Sequence, residues 1–359
     1  MTTRRTATIA AGIAAGTVVL GVVGRTVVRR RHEHQEAAGV HWELPPDDLG
    51  FIRSFDGTGI AVRAAGDPDK PVLVFAHGFS LDMTTWLDQW RDLSDEFRCV
   101  LMDHRSHGGS ERAAHDDLTL RSMGRDVAAV LEATSPNRPA VLVGHSMGGM
   151  AILAMAEQRP ELFGPAVAGV VLIGSSSSDL FRGAMGSVTD LLRLRLSTIG
   201  TAVARVDRLR KAVLASPADL SGAIARLTQF GPDAPLHVVD HVVALAQRTS
   251  SQVWTDGLAE LMEVDLAHAI PRVRVPALVL VGEHDRVTPP AAALALTAAL
   301  PDGRLIVIEG AGHIAMLERP QELNLQIRRF ADEVLGSASP PKPQRKPRRR
   351  PKDAGEPAA

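Results

Sequence analysis

The chain of 359 residues contains no tyrosine, and phenylalanine and tryptophan bring the aromatic share to only 4%. So sparse a supply of rings argues against the stacking platforms that bind single-stranded nucleic acid. One cysteine, Cys99, sits in the apolar run "FRCVLMD"; it excludes an internal disulfide and reads as a small core side chain. Neither sign of charge is in surplus, since 40 Lys and Arg face 41 Asp and Glu for a net charge of −1. No global field draws the chain to nucleic acid or acidic surfaces. Internal repeats are missing too. What is present is a 45% hydrophobic fraction, ample for one sizeable core, at a length that suits two average domains or one large α/β domain with an insertion.

Both ends differ from the middle. Residues 6–24, "TATIAAGIAAGTVVLGVVG", carry no charge and as a helix would be about 28 Å long, close to the hydrocarbon thickness of a bilayer. Arg25, Arg29, Arg30 and Arg31 follow, as in a stop-transfer flank, where a secretory signal would show a small-residue cleavage site. Residues 1–31 are therefore expected to form an uncleaved membrane anchor, and the balance of arginines tilts the domain that follows it toward the cytoplasmic side. Residues 32–48 end in Pro45 and Pro46 and read as a linker. Beyond Ser337, seven Lys or Arg lie between Lys342 and Lys352 among prolines. Residues 337–359 are expected to be a disordered basic tail, suited to anionic lipid or to solvent.

In the middle, "FIRSF" and "GIAVRAAG" flank Asp56 and Gly57 and predict an antiparallel hairpin. Six apolar runs follow, at residues 71–78, 97–105, 139–146, 167–175, 276–285 and 303–312. They are rich in Val and Leu and do not alternate, the pattern of parallel strands covered on both faces. Amphipathic segments such as "LTLRSMGRDVAAVLEA" and "PQELNLQIRRFADEVL" separate them. This alternation predicts an eight-stranded, mostly parallel sheet over residues 49–175 and 276–336 with helices on both faces. Residues 176–275 show helical spacing and no strand, and are expected to form a helical cap.

In such a sheet ligands bind beyond the carboxyl ends of the strands, so the residues that end each run matter most. "VLVGHSMGGM" ends its strand in Ser146 between glycines. A hydroxyl is a poor nucleophile without a base, and a sharp strand-to-helix turn lifts it above the sheet only if Gly144 and Gly148 remove crowding side chains. His313, after "EGAG", is placed to act as general base and then general acid. Asp285, closing "VLVGEHD", would hold one His313 tautomer, with Asp179 as the fallback acid. The backbone amides of Met147 and of Phe79, in the "HGF" turn, are the expected oxyanion donors, and His77 is expected to brace that turn. His237 and His241 stand one helical turn apart without a glutamate or a third ligand, so a cap surface is expected rather than a metal site.

Together "FAHGFS", "DHRSHGGS", "GHSMGG", "VGEHDRVTPP" and "GAGHIAMLERP" resemble the α/β-hydrolase superfamily, in its branch of small serine esterases, lipases and lactonases with a helical cap. The resemblance spans about residues 50–336. It implies the triad Ser146, Asp285 and His313 and no metal or organic cofactor. One departure is Ser106, where members usually have the first glycine of Asp-x-Arg-Gly-His-Gly. A serine nucleophile argues against the epoxide hydrolases and haloalkane dehalogenases of that fold, which use a carboxylate. The expected function is hydrolysis of a small carboxylic ester, its apolar part favoured by the Leu, Ala, Val and Met of the cap, with the N-terminal helix tethering the enzyme to the membrane. A perhydrolase, lactonase, carbon-carbon hydrolase or acyltransferase on the same triad stays open. So does a non-catalytic membrane-tethered binding protein.

Overall fold

A computed structural model of the chain describes residues 41–44, 50–178 and 218–337. The expected anchor, the basic tail from residue 338, Asp179 and residues 179–217 of the expected cap lie outside these. Among the described residues no helix is long and apolar enough to cross a membrane.

Eight strands form one sheet: β1 (Gly50–Arg53), β2 (Gly59–Ala65), β3 (Val72–Ala76), β4 (Arg98–Met102), β5 (Ala140–His145), β6 (Val167–Ile173), β7 (Ala277–Gly282) and β8 (Gly303–Ile308). Their spatial order is β1-β2-β4-β3-β5-β6-β7-β8. β1 and β2 form the hairpin expected around Asp56 and Gly57, and β2 also runs antiparallel to β4. Every other pairing is parallel. From β3 the chain crosses outward to β4 and then returns to the far side of β3 to lay down β5. The crevice above β3 and β5 is thus the switch point where open sheets of this type bind ligands.

The lack of alternation in the strands has its cause in two cores. Val72, Val74 and Ala76 of β3 face one apolar cluster, and Leu73 and Phe75 face the other. The first is closed by α2 (Leu120–Thr134), α3 (Met147–Gln158) and α7 (Pro290–Ala299), the second by α1 (Leu87–Leu93) and α9 (Pro320–Ser337). Helix α3 is buried at every position from Met147 to Ala156, as its near-continuous apolar sequence requires. Between β6 and β7 the described residues carry α4 (Ala218–Gln229), α5 (Leu236–Arg248) and α6 (Ser251–Glu263).

The stretch read as a linker is docked where it is described. Trp42 stacks on His241 of α5 with ring centroids 3.9 Å apart, Leu44 is buried, and the Leu44 carbonyl accepts from Arg63 at 2.8 Å. Two apolar residues in "VHWEL" suffice for this packing, and a reading keyed to the prolines passed over them. Arg105 is also fully buried. It donates to both carboxylate oxygens of Asp126 at 2.7 and 2.8 Å and to Asp56 at 3.0 Å, and so ties the loop after β4 to α2 and to the hairpin.

Candidate active site

β5 ends at His145 and α3 begins at Met147, so Ser146 alone makes the turn from strand to helix. Its backbone sits at φ 49°, ψ −115°, a conformation that costs a residue with a side chain about 1–3 kcal/mol and persists only where the surroundings impose it. Here the Ser146 amide donates to the Ile173 carbonyl of β6 at 2.9 Å, and Ser175 Oγ donates to the Ser146 carbonyl, also at 2.9 Å. The flanking glycines are required by the close approach of α3 to the sheet. A methyl on Gly148 would stand 2.2 Å from the Ala76 carbonyl oxygen, and one on Gly144 would stand 2.6 Å from the Gly149 nitrogen.

Asp285 lies just beyond β7. Its Oδ1 accepts from the amides of Val287 and Thr288, both at 2.8 Å, while Oδ2 accepts from Thr288 Oγ1 at 2.7 Å and from His313 Nδ1 at 2.9 Å. With Nδ1–H directed at the carboxylate, Nε2 is the His313 nitrogen left with a free lone pair. Burial raises the Asp285 carboxyl, but the neighbouring His313 and the Thr288 hydrogen bonds outweigh it and hold Asp285 below the usual carboxylate range.

Ser146 and His313 are brought into one buried cluster without a direct bond. Among the described residues no hydrogen bond leaves Ser146 Oγ. The link runs one position earlier, where His145 Nε2–H donates to the His313 carbonyl at 3.0 Å with ring centroids 4.8 Å apart. Burial, with His313 adjacent, pushes His145 down to about 3, so its imidazole is neutral near pH 7. The turn after β3 closes the other side. A methyl on Gly78 would lie 3.3 Å from Ser146 Cβ, so the turn that carries the Phe79 amide packs against the serine. Neither that amide nor the Met147 amide, in the first turn of α3, donates to a described residue. His77 braces this turn: Nδ1–H donates to the Gly78 carbonyl at 2.8 Å, and Nε2 accepts from the His104 amide at 3.1 Å.

Sequence reasoning missed Ser175, His145 and Thr288 as supports of the site. Thr288 carried a readable signal, since Asp-x-x-Thr is the spacing at which a carboxylate accepts from backbone amides two and three residues on. His241 is not on a cap surface. It is buried between Trp42 and Thr84, bonded to Thr84 Oγ1 at 3.0 Å, and burial lowers it to about 3. Among the described residues no group of three or more His, Cys, Asp or Glu is arranged to hold a metal ion. A cleft of about 1190 Å³ opens against Trp42, Asp82, Asp103, His107 and His241, and Ser146, Asp285 and His313 do not line it. Asp103, at its floor, is pushed up to about 7 by burial and by Asp82.

Residues 73–325, well over half of the chain, match the model of the alpha/beta hydrolase family. The chain belongs to the alpha/beta hydrolase family. Among its relatives is RutD of Caulobacter sp. (strain K31), a carbamate hydrolase by assignment. The two are 28% identical over 277 residues, covering 77% of this chain and 96% of that protein. In fold it is similar to a thermophilic esterase from Thermogutta terrifontis, with a TM-score of 0.65 and 23% identity over 80% of this chain and 99% of that one. It is similar as well to the enol-lactonase from Burkholderia xenovorans LB400, with a TM-score of 0.62 and 22% identity over 78% and 98% of the two chains.

Two features particularise this alpha/beta hydrolase. Ser106, at the usual glycine position, has φ 61°, the left-handed geometry that favours glycine there; its Oγ accepts from the Ala113 amide at 2.8 Å, which offsets part of the strain. Helix α6 also closes over the turn after β3. The Phe79 ring lies 6.2 Å from that of Trp254, and a methyl on Gly257 would stand 2.5 Å from Phe79 Cε2.

Proposed function

We propose that this alpha/beta hydrolase is a serine enzyme that cleaves carboxylic esters with an apolar acyl or alcohol group. The observation that carries the reading is the buried His313–Asp285 hydrogen bond of 2.9 Å, set in the same cluster as a serine held at φ 49° on a strand-to-helix turn. Ser146 Oγ attacks the ester carbonyl carbon while His313 Nε2 takes its proton. The imidazolium, stabilised by Asp285, returns that proton to the departing alkoxide, and the alcohol leaves. The acyl group is then on Ser146, and a water activated by His313 releases it as the acid. During both steps the Phe79 and Met147 amides receive the tetrahedral oxyanion, as donors not engaged elsewhere can without reorganisation.

An apolar substrate is supported by the composition of residues 176–275 and by Phe79 and Trp254 beside the turn. A series of p-nitrophenyl esters from acetate to dodecanoate tests it. kcat/KM is expected to rise about three- to four-fold per methylene over the first several carbons, the yield of burying about 0.8 kcal/mol each. A flat or falling series contradicts an apolar acyl site. The kinship with RutD favours carbamates as the second reading, and p-nitrophenyl carbamate outpacing every ester would select it.

Residues 1–31 we propose as a membrane tether that leaves the catalytic domain on the cytoplasmic side, on the strength of the uncharged run and its arginine flanks. The full chain should sediment with membranes and a chain lacking residues 1–31 should not. Full-length protein in the soluble fraction would remove the tether.

A further inference from the structure

His313 is fixed to the helical insertion as well as to the sheet. Its amide donates to the carbonyl of Gln229, the last residue of α4, at 2.7 Å. Arg286, next to Asp285 in the chain, donates from Nη1 to the Leu227 carbonyl of the same helix at 2.5 Å. Carbonyls in the last turn of α4 are thus taken up by the amide of the residue assigned as base and by the side chain next to the residue assigned as acid. Glu318, in the short helix α8 (Ala315–Glu318), completes the junction. Its carboxylate is buried, with Oε2 accepting from the Gly231 amide at 2.8 Å and Oε1 from the Gly312 amide at 3.0 Å. One oxygen therefore holds the chain leaving α4, and the other holds the residue before His313. The two segments touch with no room between them. A methyl on Gly231 would stand 2.2 Å from the Gly310 carbonyl oxygen, and one on Gly312 would stand 2.4 Å from the Phe230 carbonyl carbon.

We propose that Glu318 is a positioning residue that joins the end of α4 to the His313 loop, so that the helical insertion and the general base hold their places together. A substrate that orders the insertion would by this route also order the base. The proposal rests on the reading of Ser146 and His313 as nucleophile and base, and it assigns Glu318 no contact with substrate.

The test is Glu318→Gln in the full chain. The amide keeps one acceptor for one arm and turns an N–H donor toward the other backbone N–H, so one arm breaks while side-chain size is kept. The readouts are kcat and KM on a p-nitrophenyl ester, the rate and end point of fluorophosphonate labelling at Ser146, and the melting temperature, all at a temperature where the variant is folded. A base displaced by a fraction of an ångström is expected to lower kcat and the labelling rate about 10- to 100-fold, while KM stays within about two-fold and labelling still goes to completion. Unchanged kcat per labelled site with only a lower melting temperature would make Glu318 a structural residue and overturn the proposal. Should Glu318→Gln not fold, Glu318→Asp, which keeps the charge but is one methylene too short to span both amides, is read by the same split. A parent enzyme that is not labelled at Ser146 would instead remove the triad reading, and the proposal with it.

Discussion

Ser146→Ala is expected to lower kcat on a short p-nitrophenyl ester by about 10⁴- to 10⁶-fold, the loss typical when a nucleophile of this kind is deleted. The fold should be untouched, because alanine keeps the Cβ and meets φ 49° at the same cost as serine. Three external bonds impose that geometry without using the hydroxyl: the amide bond to Ile173, the Ser175 bond to the Ser146 carbonyl, and the Met150 amide bond of 3.1 Å to the same carbonyl. The variant should therefore melt within a degree or two of the parent, about the size of a surface substitution. Activity above about a hundredth of the parent's would mean that another group attacks the carbonyl, because an intact oxyanion site and base supply only a small residue of the rate. The same variant separates an enzyme from a binding protein on this fold, since only the former has turnover to lose.

Asp285→Asn is expected to cost about 10³- to 10⁴-fold in kcat, the effect of forcing the base into the wrong tautomer. The direction follows from the hydrogen bonds. Oδ1 accepts from two backbone amides, of Val287 and Thr288, so the carbonyl oxygen of an asparagine must occupy that position. Its NH2 then replaces Oδ2 and donates toward His313 Nδ1, which at present shares Oδ2 at 2.9 Å. An Nδ1 that must accept leaves the ring proton on Nε2, where it cannot take a proton from Ser146. Thr288 Oγ1, which donates to the same oxygen at 2.7 Å, has to rotate, and its hydroxyl can do so at little cost. KM should change little, because Asp285 is buried behind His313. The measurement is kcat and KM at pH 7 and above; loss of less than about ten-fold would shift the acid's role to another residue, Asp179 first.

Much of the sheet was legible because the pattern and the packing agree. Each of the six non-alternating runs became a parallel strand; burial on both faces leaves its mark on every position of a strand such as Val72–Ala76, whereas the edge strand Gly303–Ile308 fully buries only Ile308. The Asp56–Gly57 turn was legible through chemistry alone. Ser146, Asp285 and His313 could be placed at strand ends because their signals are local: glycines around a serine, an acid closing one run, a histidine after a glycine-rich bend. The supports of the site escaped reading because they act across long sequence distances. His145 meets His313, 168 residues away, and Glu318 meets Gly231, 87 residues away; no spacing in the chain announces such pairs. The cap-surface expectation for His241 followed from the absence of a glutamate and a third ligand near His237 and His241, and what buries it is Trp42, from the segment expected to be a linker. Ser106 illustrates the opposite limit. The substitution for glycine was visible, and only the backbone shows that the serine adopts the glycine's geometry instead of altering the turn.

That Ser146 is the attacking group is tested most directly by covalent capture. The full chain is incubated with a fluorophosphonate, digested, and the adduct located by mass spectrometry, with Ser146→Ala as the parallel sample. The prediction is one adduct per chain, on Ser146 in "VLVGHSMGGM", absent from the variant and formed in step with the loss of esterase activity. An adduct on another residue, or full esterase activity in protein that carries no adduct, would contradict it.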